Sequence, residues 1–199
     1  GFVETMNNSL TKSEYYSRLT TWPEESCVKI VNPLSSDLNV MRQTLILNGL
    51  EVISYNINRQ ISTIKSFEYG SVYRRLPEGD GTTLASYEEH QCFALFQTGP
   101  VEKSWRSEAR KGSYYQLKGY LELLLARYGV DIYTLETSAA PEDIYSEGLV
   151  YYLPGSKKQL AVMGTVNPAL AKRFDVKQPV FAAEICWQSL LEIVRRVKV

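Results

Sequence analysis

The sequence predicts an α+β domain, an antiparallel sheet of about six or seven strands flanked by helices. Two long segments carry apolar residues at helical spacing. Several short runs alternate or are β-rich and end in turn residues. Turn signals such as Pro154-Gly155-Ser156 join neighbouring runs in the second half, as hairpins require.

Taken in order, Gly1 to Asn8 reads as a short strand and Thr11 to Leu19 as a short helix. Ser26 to Val31 alternates and is closed by Asn32-Pro33, a turn. Ser35, Ser36, Asp37 and Asn39 offer helix N-caps. Ile46, Leu50, Ile53 and Ile57 then share one helical face. Thr63 to Arg75 changes to period two, with Phe67, Tyr69, Ser71 and Tyr73 on one face. Leu76 to Gly81 is a loop by its turn chemistry, and Glu89 to Gln97 is a strand that can return antiparallel to the first. Tyr114 to Tyr128 is the second strong helix, with Leu117, Tyr120, Leu121, Leu124 and Tyr128 as its stripe and Gly129 as its stop. Ile132 to Leu135, Gly148 to Leu153, Gln159 to Thr165 and Val180 to Cys186 read as strands. Asn167-Pro168 opens a short helix through Arg173, and Gln188 to Val197 forms the last helix.

The chain of 199 residues is 44% apolar, which fits one domain able to bury roughly 70% of its unfolded surface. Its 22 basic and 22 acidic residues cancel, which argues against a free-standing nucleic-acid binder. One histidine, His90, excludes a multi-histidine metal site. Cys27, Cys92 and Cys186 are far apart and odd in number, which fits a reducing cytoplasm and no disulfide framework. No apolar run is long enough to span a bilayer, so no membrane role is expected. The chain starts at Gly1 and ends at Val199 on an apolar-basic segment, so residues 1–199 read as a single domain excised from a longer protein.

Few residues invite chemistry. His90, beside Glu88 and Glu89 in a strand, reads as structural or exposed before it reads as a general base. Cys92 and Cys186 read as buried apolar thiols. Gly79-Asp80-Gly81 lacks the Lys-Ser/Thr of a phosphate loop. Glu102 to Lys118 carries five basic side chains (Lys103, Arg106, Arg110, Lys111, Lys118) against Glu102 and Glu108, with Trp105, Tyr114 and Tyr115 between them. That pattern can touch RNA by charge and stacking, although a solvated connection is the plainer reading.

Three ordered blocks resemble the core of the bacterial phenylalanyl-tRNA synthetase beta subunit. The first has Asn32 to Ser35, Met41-Arg42, Asn56 to Arg59 and Phe67 to Gly70. The second is the aromatic entry, Leu-Lys-Gly and Leu-rich helix of Tyr114 to Gly129. The third is Met163 to Ile185, with Gly164, Val166, Asn167 and Pro168 at the family's Gly-x-(Leu/Val)-(His/Asn)-Pro step. The resemblance implies a catalytic-like module related to the class II synthetase core, starting just after a motif-1-like helix and ending just before a C-terminal domain. It implies a catalytic alpha subunit as partner in a two-alpha, two-beta assembly, tRNA(Phe) bound through that holoenzyme, and ATP and magnesium used there.

Active class II cores keep an Arg and an acidic residue in the motif 2 hairpin and an Arg in motif 3. Here Arg74 is retained, while Phe93 aligns with the acidic position. Glu184 and Cys186 align with two glycines of motif 3, and Gln188-Ser189 replaces Glu-Arg. A triphosphate needs cationic donors, which Ser189 does not supply and Glu184 opposes. The resemblance therefore implies no catalytic residue and no cofactor site in this domain, with Arg42, Arg74 and Glu184 as candidates for a vestigial pocket. The alternative is a free-standing class II-like module that binds a small ligand, such as an amino acid, in that pocket.

Overall fold

A computed structural model describes residues 1–79, 81–101, 105 and 110–197. Its centre is a seven-stranded sheet in the order β1-β4-β5-β11-β10-β9-β8. The strands are β1 (Val3–Glu4), β4 (Ile64–Arg75), β5 (Tyr87–Thr98), β8 (Glu136–Ala139), β9 (Tyr145–Tyr152), β10 (Gln159–Val166) and β11 (Val180–Cys186). Two small ribbons, β2 (Leu10–Thr11) with β3 (Val40–Met41) and β6 (Pro100–Val101) with β7 (Arg110–Lys111), lie outside it. All neighbours in the large sheet are antiparallel except β1 and β4, which run parallel with Val3 opposite Ser66. The sheet is therefore mixed rather than wholly antiparallel.

The long hairpin of β4 and β5 pairs in register from Ile64 opposite Thr98 to Arg75 opposite Tyr87. Four helices cover the sheet: α1 (Ile46–Ile57), α2 (Tyr114–Arg127), α3 (Pro168–Lys172) and α4 (Trp187–Val197). One face carries α1, α3 and the segment holding Tyr16, Trp22 and Val40, packed on Val72, Cys92, Ala94, Phe96, Val162 and Ala182. The other carries α2 and α4, whose Leu117, Leu121, Leu125, Leu190 and Ile193 pack on Leu95, Ala161, Met163, Ala183 and Ile185.

In α1, Ile46, Leu47, Leu50 and Ile53 are inaccessible to solvent. Each such side chain stabilises the fold by about 1.5–3 kcal/mol. Gly49 brings α1 close to the sheet, because a Cβ there would overlap the Phe96 ring. In α2, Ser113 N donates to Gln116 Oε1 at 3.2 Å at the start, and Gly129 takes φ 79° after the end. Leu125 joins the buried stripe, whereas Tyr120 and Tyr128 are exposed and corrects the stripe expected from spacing. Asn167 Oδ1 accepts from Ala169 N at 2.9 Å and Pro168 opens α3, as their order predicts.

Three expectations from local pattern fail. Thr11 to Leu19 is no α-helix but the end of β2 and a short 3-10 turn at Ser13–Tyr16, where Tyr16 is anchored in the core. Ser26 to Val31 forms only an isolated bridge from Lys29 to Val40. Ile132–Thr134 is a 3-10 turn nucleated by Asp131 Oδ1 accepting from Tyr133 N at 3.0 Å, and the strand begins after it, at Glu136. The first strand also shrinks to Val3–Glu4. In each case a side-chain or tertiary contact outweighs a weak local pattern. Among the described residues, no helix is long and apolar enough to cross a membrane.

Candidate functional site

A cleft of about 370 Å³ opens on the α1 face of the sheet. Its floor is Val72 and Arg74 of β4, His90 and Cys92 of β5, Glu184 and Cys186 of β11, and Val162 of β10. Its walls include Thr21, Trp22, Gln43, Ile144 and Tyr145. The Thr21 wall is pinned by Asp143, whose carboxylate accepts from the backbone N and Oγ1 of both Thr20 and Thr21 at 2.6–3.1 Å. Burial pulls the Asp143 carboxyl upward, but these four donors outweigh it and hold the group below its ordinary range. Gln43 is held by its Nε2 donating to Pro23 O at 2.9 Å and Cys27 Sγ at 3.1 Å. Tyr145 fits its ring over Gly164, where a Cβ would collide with it.

Glu184 is buried at the head of α1. Oε1 accepts from Leu45 N at 2.7 Å, and both carboxyl oxygens lie 3.1 Å from Thr44 Oγ1. Leu45 at the N-cap position offers no side-chain cap, and none of Ser35, Ser36, Asp37 or Asn39 reaches the start of the helix, but Thr44 Oγ1 accepts from Ile46 N at 3.0 Å. Glu184 adds a second acceptor from β11, where a carboxylate also meets the positive end of the helix dipole. Burial dominates its acidity and pushes it up to about 7, against the opposing pull of the Leu45 and Thr44 hydrogen bonds and of Arg42 and Arg74.

Arg42 does not line the cleft, which corrects its expected place in a vestigial pocket. Its guanidinium donates from NH1 to Glu68 Oε1 at 2.6 Å and from Nε to Ser71 O at 2.9 Å. Both partners of the ion pair are almost fully buried. Glu68 also accepts from Asn7 N at 3.2 Å and Asn7 Nδ2 at 2.6 Å. Gly70 is needed here, because a Cβ would overlap the Arg42 guanidinium. The Phe67-Glu68-Tyr69-Gly70 run is thus a cradle for one arginine. Arg74 is exposed and is the single Lys or Arg among the described residues lining the cleft.

Phe93 lies on the opposite face, where it stacks on Phe67 at 5.6 Å and meets Trp187. The side chains that β5 sends toward the cleft are His90 and Cys92. His90 is exposed, 3.3 Å from Glu88 Oε2. Ser189 is buried at the start of α4, and Gln188 Oε1 accepts from Gln91 N at 3.2 Å. Of the expected basic-aromatic stretch, Lys103, Arg106, Glu102 and Glu108 lie outside the described residues, and Trp105 and Tyr115 are exposed. Sequence reasoning missed Glu68 as the partner of Arg42, although the Phe-Glu-x-Gly spacing signals it once the glycine is read as clearance.

A bound magnesium triphosphate would need several cationic donors around its oxygens. The cleft offers one guanidinium beside a buried carboxyl, so its residues do not fit that group.

A mixed sheet with a long central hairpin, a strand running directly into a helix and a cleft on one face defines a class II aminoacyl-tRNA synthetase-like fold. Pyrrolysyl-tRNA synthetase from Desulfitobacterium hafniense superposes with a TM-score of 0.66 at 14% identity, over 96% of this chain and 63% of that one. A second structure of that protein gives a TM-score of 0.63 at 15% identity, over 96% of this chain and 62% of the other. Residues 1–187 match the model of the phenylalanyl tRNA synthetase beta chain CLM domain, and the chain belongs to that family. The phenylalanine–tRNA ligase beta subunit of Bacteroides fragilis is 40% identical over 205 residues, covering 100% of this chain and 24% of the relative. That of Porphyromonas gingivalis is 39% identical over 203 residues, again covering 100% and 24%. The chain thus spans about a quarter of the length of these relatives. Membership does not favour the free-standing ligand-binding module.

Proposed function

We propose that residues 1–199 form one non-catalytic domain of a phenylalanine–tRNA ligase beta subunit. In this reading the domain packs against a catalytic alpha subunit in a two-alpha, two-beta assembly in the cytoplasm, and it supports aminoacylation of tRNA(Phe) by the whole enzyme. ATP and magnesium serve the alpha subunit, and no residue here is assigned to catalysis.

The observation that carries this reading is the use of charge around the cleft. Glu184 is committed to the head of α1 and Arg42 to Glu68, which leaves Arg74 as the cation facing the cavity. Adenylation places negative charge on phosphate oxygens and depends on preorganised cations there. Co-expression of the full-length chain with its alpha subunit tests the partnership. Recovery of both chains in one complex with phenylalanine-dependent aminoacylation is the expected result. Separate elution of the two chains would overturn it.

A further inference from the structure

Cys92 and Cys186 are distant in sequence but directly opposite each other on β5 and β11. Both line the cleft floor, so their side chains emerge on the same face. Neither is in a disulfide. The strand parity fixes what kind of pair they form. Phe67 O accepts from Thr5 N at 2.8 Å on the β1 side, so Phe67 directs its backbone groups away from β5. Its partner Leu95 therefore turns its own groups toward β11, and so do the alternate residues Phe93 and Gln91. The Gln91 N bond to Gln188 Oε1, past the end of β11, agrees. Cys92 accordingly makes its ladder bonds with Gly70 of β4 and faces Cys186 as a non-hydrogen-bonded pair.

Such pairs have Cα atoms about 4.5 Å apart and their side chains closest together. That separation falls within the range of roughly 4.4–6.8 Å that a disulfide spans. On the far side of Cys92 the space above Gly70 is filled by the Arg42 guanidinium, so that neighbour is not between Cys92 and Cys186. We infer that Cys92 and Cys186 form a redox-active dithiol on the cleft floor, which a low-molecular-weight disulfide converts into a cross-strand disulfide.

Cys186 is the more accessible thiol and reacts first. Its thiolate attacks the small disulfide, forming one S–S bond, breaking another and releasing one small thiol. The Cys92 thiolate then attacks Cys186 Sγ and displaces the second small thiol. Two protein thiols are oxidised, one small disulfide is reduced to two thiols, and the protons go to the departing thiolates. The bond ties the long hairpin to the strand that leads into α4. Cys27 is excluded from the exchange, since it is buried against Gln43 outside the cleft.

The test uses the full-length chain, reduced, then treated with oxidised glutathione, alkylated and mapped by mass spectrometry. The expected result is a linked pair of peptides containing Cys92 and Cys186, reversed by dithiothreitol and absent in Cys186→Ser. Recovery of both as alkylated thiols, or of Cys186 as a glutathione adduct with Cys92 free, would overturn the proposal. Phenylarsine oxide checks the geometry independently, because its arsenic takes two thiols and releases one water. One bridged adduct per native chain on these two cysteines is expected, lost in Cys186→Ser. No bridged adduct would overturn the facing geometry itself.

Discussion

The Arg42 guanidinium has left water for Glu68, one backbone carbonyl and the space above Gly70. Removing one partner of such a pair strands a buried charge, whereas an apolar pair of similar volume avoids that cost. Glu68→Ala is expected to destabilise the fold by about 3–5 kcal/mol in urea titration, and Arg42→Met with Glu68→Leu to recover much of the loss. Glu184 gives a pH signature. Its carboxyl is held at about 7 in the fold against 4.5 as the reference, so the folded state binds the extra proton between those values. Stability therefore falls as pH rises from 4.5 to 7, and the loss is on the order of 3 kcal/mol. Glu184→Gln keeps an acceptor for Leu45 N and is expected to flatten that part of the denaturation profile. An unchanged slope would remove Glu184 as its source.

Two helix glycines sit in opposite settings. Gly49 of α1 is where Phe96 lies against the helix, while Gly119 of α2 has open space around its Cβ position. Gly49→Ala is expected to cost about 1–3 kcal/mol by overpacking, and Gly119→Ala to add about 0.5–1 kcal/mol through helix propensity. Thermal unfolding of both variants separates the two effects, and a stabilising Gly49→Ala would contradict the packing. The same contrast explains what the sequence made legible. The α1 stripe, the existence of α2, the alternation of β4 and the Asn167-Pro168 start were readable from local pattern, whereas which residues of α2 and which face of β4 are buried was set by packing. The segment from Thr11 to Val31 was not readable, because Tyr16, Trp22 and Cys27 are held by distant partners and follow no period. The candidate site divides in the same way. Arg74 and Glu184, singled out by the resemblance, both line the cleft, but the role of Glu184 depends on α1 meeting β11, which no spacing within one segment encodes.

Across the whole molecule, the sheet brings four strands together under one cleft and leaves that cleft with a capping carboxyl, a facing cysteine pair and one guanidinium. The domain keeps the class II synthetase-like layout while its charges are directed inward to hold α1 and the Arg42 cradle. The zero net charge first read as an argument against an RNA-handling protein is compatible with this, since one neutral domain spans about a quarter of its relatives. In the proposed assembly, the central claim is that chemistry belongs to the alpha subunit alone. Active-site titration of the purified complex with phenylalanine, ATP and pyrophosphatase counts the adenylates formed in a single turnover. One adenylate for each alpha–beta pair is the expected result, and two for each pair would contradict the account.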